Sequence, residues 1–199
     1  MQNHCQISTP KEYVKSMLDL VGYTENLHGK TVLENSCGEG DILIEIVRRY
    51  ITDCRKQGYS DDVIKTGITR DIKAYEIDAQ CVLKCIANLT TVAEELGLSD
   101  IQWNIEHSDY LESKAADYDF IVGNPPYITY HDLTVETREW LKKSFVSCSR
   151  GRFDYYYAFI EKSVASLKAG GSMVYLVPFS VFRNLFALVV RDCKKPDIV

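Results

Sequence analysis

An α/β fold with a doubly wound, mostly parallel sheet is predicted for this 199-residue chain by three observations. Short apolar runs alternate with longer stretches of helical periodicity, the pattern of successive βαβ units. A glycine-bearing turn, Ser36-Cys37-Gly38-Glu39-Gly40, follows the first such run. Asn124-Pro125-Pro126-Tyr127 follows another, Phe120-Ile121-Val122-Gly123. In an open α/β sheet the carboxyl ends of strands are where ligands bind.

The elements follow in order. Thr9 and Pro10 read as the N-cap and first position of a helix reaching about Leu20, since a hydroxyl satisfies a free N–H and proline lacks a donor that would be idle there. Residues 31–34 read as a first strand. The glycine turn leads into an apolar helix over residues 41–50. The polar stretch 52–71 is expected to hold a short helix around 61–65. Residues 72–77 read as a second strand and 79–96 as a long helix. Two further strands are expected at 101–106 and 118–122, then a helix at 134–145. Residues 147–153 read as a loop in which Arg150 and Arg152 flank Gly151. Residues 154–167 are expected to be helical, with Ala169-Gly170-Gly171 closing that helix as a glycine C-cap. Residues 172–177 read as the last clear strand, and a helical pattern resumes after Pro178. Repeats, low-complexity tracts and heptads are absent from the pattern. Nothing after Val190 reads as a domain finish, so a C-terminally truncated fragment of a longer protein is expected.

Apolar residues make up 46% of the chain and charged residues 26%, as in a soluble globular protein. No apolar run approaches the roughly 20 residues of a membrane span, and residues 1–10 lack the apolar centre of a signal peptide. The seven cysteines are scattered and form no CxxC pair. That pattern fits reduced thiols in the cytoplasm and neither disulfides nor a metal site. Cys81 and Cys85, four apart, read as a buried helix face. The net charge of −5 argues against a self-sufficient nucleic-acid binder, because phosphate contacts require clustered Lys and Arg.

The chemistry-bearing residues cluster at strand ends. Glycines after a first strand let a ligand approach the backbone, and the turn lacks the GK[ST] of a P-loop. Glu34 and Asp41 flank that turn and favour a cationic ligand over a phosphate. Glu76 ends the second strand, where a carboxylate can accept both hydroxyls of a ribose. Asp109 follows the third strand and could meet an adenine amino group. In Asn124-Pro125-Pro126-Tyr127, two prolines stiffen the turn and hold Asn124 out of helical geometry. Tyr127 adds an aromatic face, so the turn suits a flat ligand bearing an amino group. Together these residues suit a cofactor with a ribose, an adenine and a positive centre, which S-adenosylmethionine has.

In this order the motifs resemble the gamma class of DNA adenine-N6 methyltransferases, in particular its type IIG restriction–modification branch. The resemblance covers almost the whole chain. It implies a Rossmann-like S-adenosylmethionine-dependent methyltransferase fold. An N-terminal cofactor-binding segment (1–28) would contain Thr9 and Pro10, followed by a Rossmann-like core (29–190). Residues 34–40 match the family's glycine motif, with Asn35 where a proline is usual, a change expected only to relax the turn. The implied cofactor residues are Thr9, Pro10, Glu34, Ser36, Cys37, Gly38, Gly40, Asp41, Glu76, Ile77, Asp109, Tyr110 and Asn124. The implied catalytic residues are Asn124, Pro125, Pro126 and Tyr127. Asp154-Tyr155-Tyr156-Tyr157-Ala158-Phe159 and Lys168-Ala169-Gly170-Gly171 through Pro178 match later motifs.

The implied activity is methyl transfer from S-adenosylmethionine to N6 of an adenine flipped from duplex DNA, without a metal. The resemblance implies that the family's target-recognition domain and last strands are expected outside this chain, which would also account for its acidic charge. Release-factor glutamine and RNA adenine methyltransferases share the Asn-Pro-Pro-Tyr turn and stand as alternatives. A catalytically incomplete cofactor- and DNA-binding fragment is an alternative of another class. A dehydrogenase is disfavoured by the missing third glycine of the dinucleotide fingerprint.

Overall fold

Eleven helices and strands are built from residues 8–114 and 116–179, which are those described by the computed structural model. In chain order they are α1 (Lys11–Leu20), β1 (Val32–Glu34), α2 (Asp41–Lys56), α3 (Asp61–Asp71), β2 (Ile72–Glu76), α4 (Ala79–Glu95), β3 (Ile105–His107), β4 (Tyr118–Gly123), α5 (Val135–Ser144), α6 (Tyr156–Ala165) and β5 (Leu167–Tyr175). The five strands form one sheet in the order β3-β2-β1-β4-β5, and every neighbouring pair is parallel. The chain order reverses between β1 and β4, the switch point at which ligand crevices open.

Successive strand side chains point to opposite faces, and the two cores follow that period. Val32, Ala74, Val122 and Val174 pack with α1–α4 on one face. Leu33, Tyr75, Ile121 and Met173 pack with α5 and α6 on the other. Cys81 and Cys85 are both buried on α4. Among the described residues no helix is long and apolar enough to cross a membrane.

Several boundaries depart from the sequence pattern. Helix α2 runs on to Lys56 because Ile51 and Cys54 extend its buried stripe through a segment that reads as polar. Helix α3 continues to Asp71, with Ile64, Ile68 and Asp71 buried at helical spacing. Strand β3 is confined to 105–107, because the carbonyl of Gln102 and the side chain of Asn104 are tied to Thr69 and Lys73. Pro10 takes the N-cap position of α1, and Thr9 is engaged elsewhere.

The expected glycine C-cap is not one. Helix α6 ends at Ala165 with Ser166 as its cap, and Ala169-Gly170-Gly171 lie inside β5. Between the pairs Tyr118↔Leu167 and Phe120↔Ser172 the register shifts, so the extra residues loop out as a bulge. Gly170 has φ +76, and a Cβ on Gly171 would lie 2.9 Å from the Tyr118 carbonyl. Gly170 therefore supplies the left-handed backbone of the bulge, and Gly171 the close strand approach. The helix expected after Pro178 lies outside the described residues, as do Cys5 and Cys193.

Candidate active site

Glu34 on β1 is paired with Val122 on β4, so the glycine loop and the Asn-Pro-Pro-Tyr turn leave the sheet side by side. The loop's shape is set by two glycines, Gly38 at φ +54 and Gly40 at φ +95. A Cβ on Gly40 would lie 2.8 Å from the Cys85 sulfur, so α4 packs directly against the turn that starts α2.

Glu76, at the end of β2, organises the loop from the neighbouring strand. Its Oε2 accepts the Gly38 N–H at 2.8 Å and its Oε1 accepts the Asp78 N–H at 2.9 Å. Each oxygen has a second acceptor position, which a ribose diol can use. Ile77 beside it is 60% exposed, an apolar surface at the mouth of the loop. Glu34 is 2% exposed, and its Oε2 lacks a hydrogen-bond partner. Burial, reinforced by nearby Cys85, Asp41 and Glu76, pushes its carboxyl well above the ordinary range. A cationic ligand would supply the missing partner. Cys37 is buried against Cys85, whose hydrogen bond, with burial, holds the Cys37 thiol far from ionisation. That makes it a packing residue and a poor nucleophile.

The turn is tied to the N-terminal segment. Asp41 Oδ2 accepts Ser8 Oγ–H at 2.7 Å and the Thr9 N–H at 3.1 Å, clipping that segment onto the start of α2. The buried Thr9 hydroxyl then accepts Asn124 Nδ2–H at 3.2 Å. At the other end of the amide, the Tyr127 hydroxyl lies 2.5 Å from Asn124 Oδ1 and 2.8 Å from the Leu176 carbonyl. Ser36 Oγ donates to the Asn124 backbone carbonyl at 3.3 Å. Oδ1 keeps a second lone pair. Pro125 is buried, and the Tyr127 ring is half-buried, edge-on to Tyr156 at 6.2 Å.

Asp109 and Tyr110 form a second group. Asp109 caps a short 3-10 turn through the Leu111 N–H at 2.8 Å and receives the Tyr155 hydroxyl at 3.4 Å. Burial raises its pKa. Tyr110 is 3% exposed, with its ring against Tyr75 and Phe159 and its hydroxyl 3.1 Å from Ser163. It belongs to the α5/α6 core. A cavity of about 540 Å³ opens near it, lined by Trp140, Phe145 and Lys162, and it includes neither the glycine loop nor the turn.

Sequence reasoning missed the role of Asn35. Its Nδ2 donates to Ser163 Oγ at 3.0 Å and also meets the Tyr175 hydroxyl, while Ser163 and Tyr175 are 2.6 Å apart. The glycine loop is thereby joined to α6 and β5 behind the turn. A serine on the buried stripe of α6 was the one signal available.

Residues 34–195 match the family described as Eco57I restriction-modification methylase. The chain is similar to the type II methyltransferase M.PaeR7I of Pseudomonas aeruginosa, 31% identical over 94% of this chain and 34% of that protein. It is also similar to the type II methyltransferase M.BstVI of Geobacillus stearothermophilus, 28% identical over 94% of this chain and 36% of that protein. The chain thus spans about a third of the length of these relatives. Among solved structures, the M protein of the type I restriction enzyme EcoKI superposes with a TM-score of 0.66 at 17% identity, covering 92% of this chain and 36% of that one. A class I S-adenosylmethionine-dependent methyltransferase of Listeria monocytogenes gives 0.63 at 19%, covering 96% of this chain and 52% of that one. At such identities the likeness is one of fold.

Proposed function

This chain belongs to the Eco57I restriction-modification methylase family, and on that premise we propose that it transfers a methyl group from S-adenosylmethionine to N6 of an adenine flipped out of duplex DNA, acting in the cytoplasm within a restriction–modification system. The observation that carries this reading is the Asn124 amide. It is held by Thr9 at one end and Tyr127 at the other, at a strand end beside the glycine loop.

The residues present fit the cofactor. Gly38 and Gly40 give the loop its left-handed turn, Glu76 offers acceptors to a ribose, Ile77 offers an apolar face to an adenine, and Glu34 has a buried oxygen in want of a donor. When bound, S-adenosylmethionine supplies a methyl group activated by a sulfonium. Adenine N6 is a weak nucleophile because its lone pair is delocalised into the ring. Asn124 Oδ1 and the Pro125 carbonyl accept its two hydrogens, which favours a tetrahedral nitrogen and stabilises the charge that develops there. Tyr127 lends a stacking face to the extruded base, worth roughly 1–3 kcal/mol, while its hydroxyl holds Asn124. Positioning of donor and acceptor supplies much of the remaining rate.

Incubating the chain with tritiated S-adenosylmethionine and DNA, RNA or release factor tests the substrate. Label in N6-methyladenine of DNA is the expected result, and label in glutamine would overturn it. Glu76→Ala is expected to weaken cofactor binding by about 1–3 kcal/mol, through lost charge-assisted hydrogen bonds and a loosened loop. An unchanged dissociation constant in calorimetry would contradict the assignment of Glu76.

A further inference from the structure

A block of positive charge stands out near the Asn-Pro-Pro-Tyr turn of this acidic chain. Residues 138–152 hold Arg138, Lys142, Lys143, Arg150 and Arg152 against a single acid, Glu139. With a net charge of −5 for the whole chain, this segment at +4 leaves −9 on the remainder. The block is folded against the chain that leaves the Asn-Pro-Pro-Tyr turn. Arg138 lies 4.6 Å over the Tyr130 ring, and its guanidinium donates to the His131 carbonyl at 3.0 Å. Lys142 Nζ lies 5.9 Å from the same ring. Phe153, next to Arg152, meets Tyr130 edge-on at 5.2 Å, and the Tyr155 N–H donates to the Ile128 carbonyl at 2.9 Å. Helix α5 and the Gly151 loop thus converge on Tyr130, which is three residues, at most about 11 Å, from Tyr127.

The opposing acids are largely engaged or lie at the far end of the helix. Glu139 pairs with Lys142 at 3.2 Å, Asp132 accepts the Thr129 hydroxyl at 2.6 Å, and Glu161 caps the Val146 and Ser147 N–H groups. Glu136 sits in the first turn of α5 and Lys142 and Lys143 in its last, so the helix end nearer the Gly151 loop is the positive one. Lys143, Arg150 and Arg152 are exposed.

We infer that α5 and the Gly151 loop form a phosphate-binding surface that grips the DNA strand carrying the target base. The inference rests on the DNA reading given above. Single-strand phosphates recur every 3.4 Å along a duplex axis, so a strand whose base enters the turn at Tyr127 brings several of them within reach of these cations. The contacts would be to backbone and would carry no sequence preference.

The test is the salt dependence of binding. The full chain is titrated onto a fluorescent DNA duplex between roughly 50 and 200 mM salt, because each neutralised phosphate contributes about −0.9 to the slope of log K against log salt. The double variant Arg150→Glu with Arg152→Glu is expected to make the slope shallower by about 2 and to lower affinity at least about tenfold at the low-salt end, with the dissociation constant for S-adenosylmethionine unchanged. The control Lys56→Glu with Lys65→Glu makes the same charge change on α2 and α3, on the other face of the sheet. An equal loss in the control, or an unchanged slope in the test variant while the unsubstituted chain binds DNA, would overturn the surface. Failure of the unsubstituted chain to bind DNA at any salt would overturn the DNA reading first, and this inference with it.

Discussion

Asn124→Ala is expected to cut methyl transfer by a factor of at least about 10²–10³, the scale seen when one preorganised polar group is removed from a reacting centre, while cofactor affinity stays nearly unchanged. The loss should fall on kcat, because in the proposed reaction Oδ1 acts on a charge that appears only as N6 is alkylated. Three features support so large an effect. The amide is fixed at both ends, by Thr9 Oγ1 at 3.2 Å and by the Tyr127 hydroxyl at 2.5 Å. Gly123 before it lets Asn35 and Tyr175 close in from behind, since a Cβ there would lie 2.9 Å from Asn35 Oδ1. The prolines after it remove two degrees of backbone freedom. Single-turnover rates and calorimetry on the variant check this, and parallel loss of rate and cofactor affinity would refute the assigned role.

The second large effect is on stability, away from the site. Asp71 is 1% exposed at the junction of α3 and β2. It accepts the Gly29 N–H at 2.8 Å, the Tyr50 hydroxyl at 2.7 Å, and Arg70 Nε and Nη2 at 2.6 and 2.8 Å. Arg70 is 53% exposed, so solvent screens part of its ion pair with the buried carboxylate. The cost of Asp71→Ala lies chiefly in the buried Tyr50 hydroxyl, left without a partner at about 1–3 kcal/mol, because Gly29 is exposed and its N–H can turn to water. A loss of about that size is expected in urea unfolding. Burial alone would raise the Asp71 pKa, but the bonds from Arg70, Tyr50 and Gly29 outweigh it and hold it below the ordinary 3.8. A group depressed in the folded state stabilises fully above its unfolded pKa. That contribution is therefore lost as pH falls below 3.8 toward the lower folded value. The variant should show a weaker dependence of stability on pH in that range, and an unchanged dependence would count against Asp71 as its source.

The fold was legible because the sheet is buried on both faces, so its strands stand out as apolar runs between turn formers. The carboxyl-end residues were legible for the same reason: Glu34, Glu76 and Asn124 are polar groups placed where an apolar run stops. Boundaries failed where local composition and tertiary burial disagree. Thr52, Asp53 and Arg55 hide the continuation of α2, and Gly170 and Gly171 look like a helix cap when they are a bulge. The contacts that fix the amide could not be read at all. Thr9 meets Asn124, and Leu176 meets Tyr127, only through the tertiary fold, across 115 and 49 positions of sequence. Asn35 is the sharpest case, since a residue expected only to loosen a turn instead binds Ser163.

The pairing of Glu34 with Val122 has a consequence for the distance over which a methyl group would travel. The loops proposed to hold donor and acceptor start from adjacent strands, about 4.8 Å apart, a spacing imposed by backbone hydrogen bonds. The sheet is therefore a ruler. Substitutions that recompose either loop change what is gripped, but the gauge between the two grips is the repeat of the sheet itself.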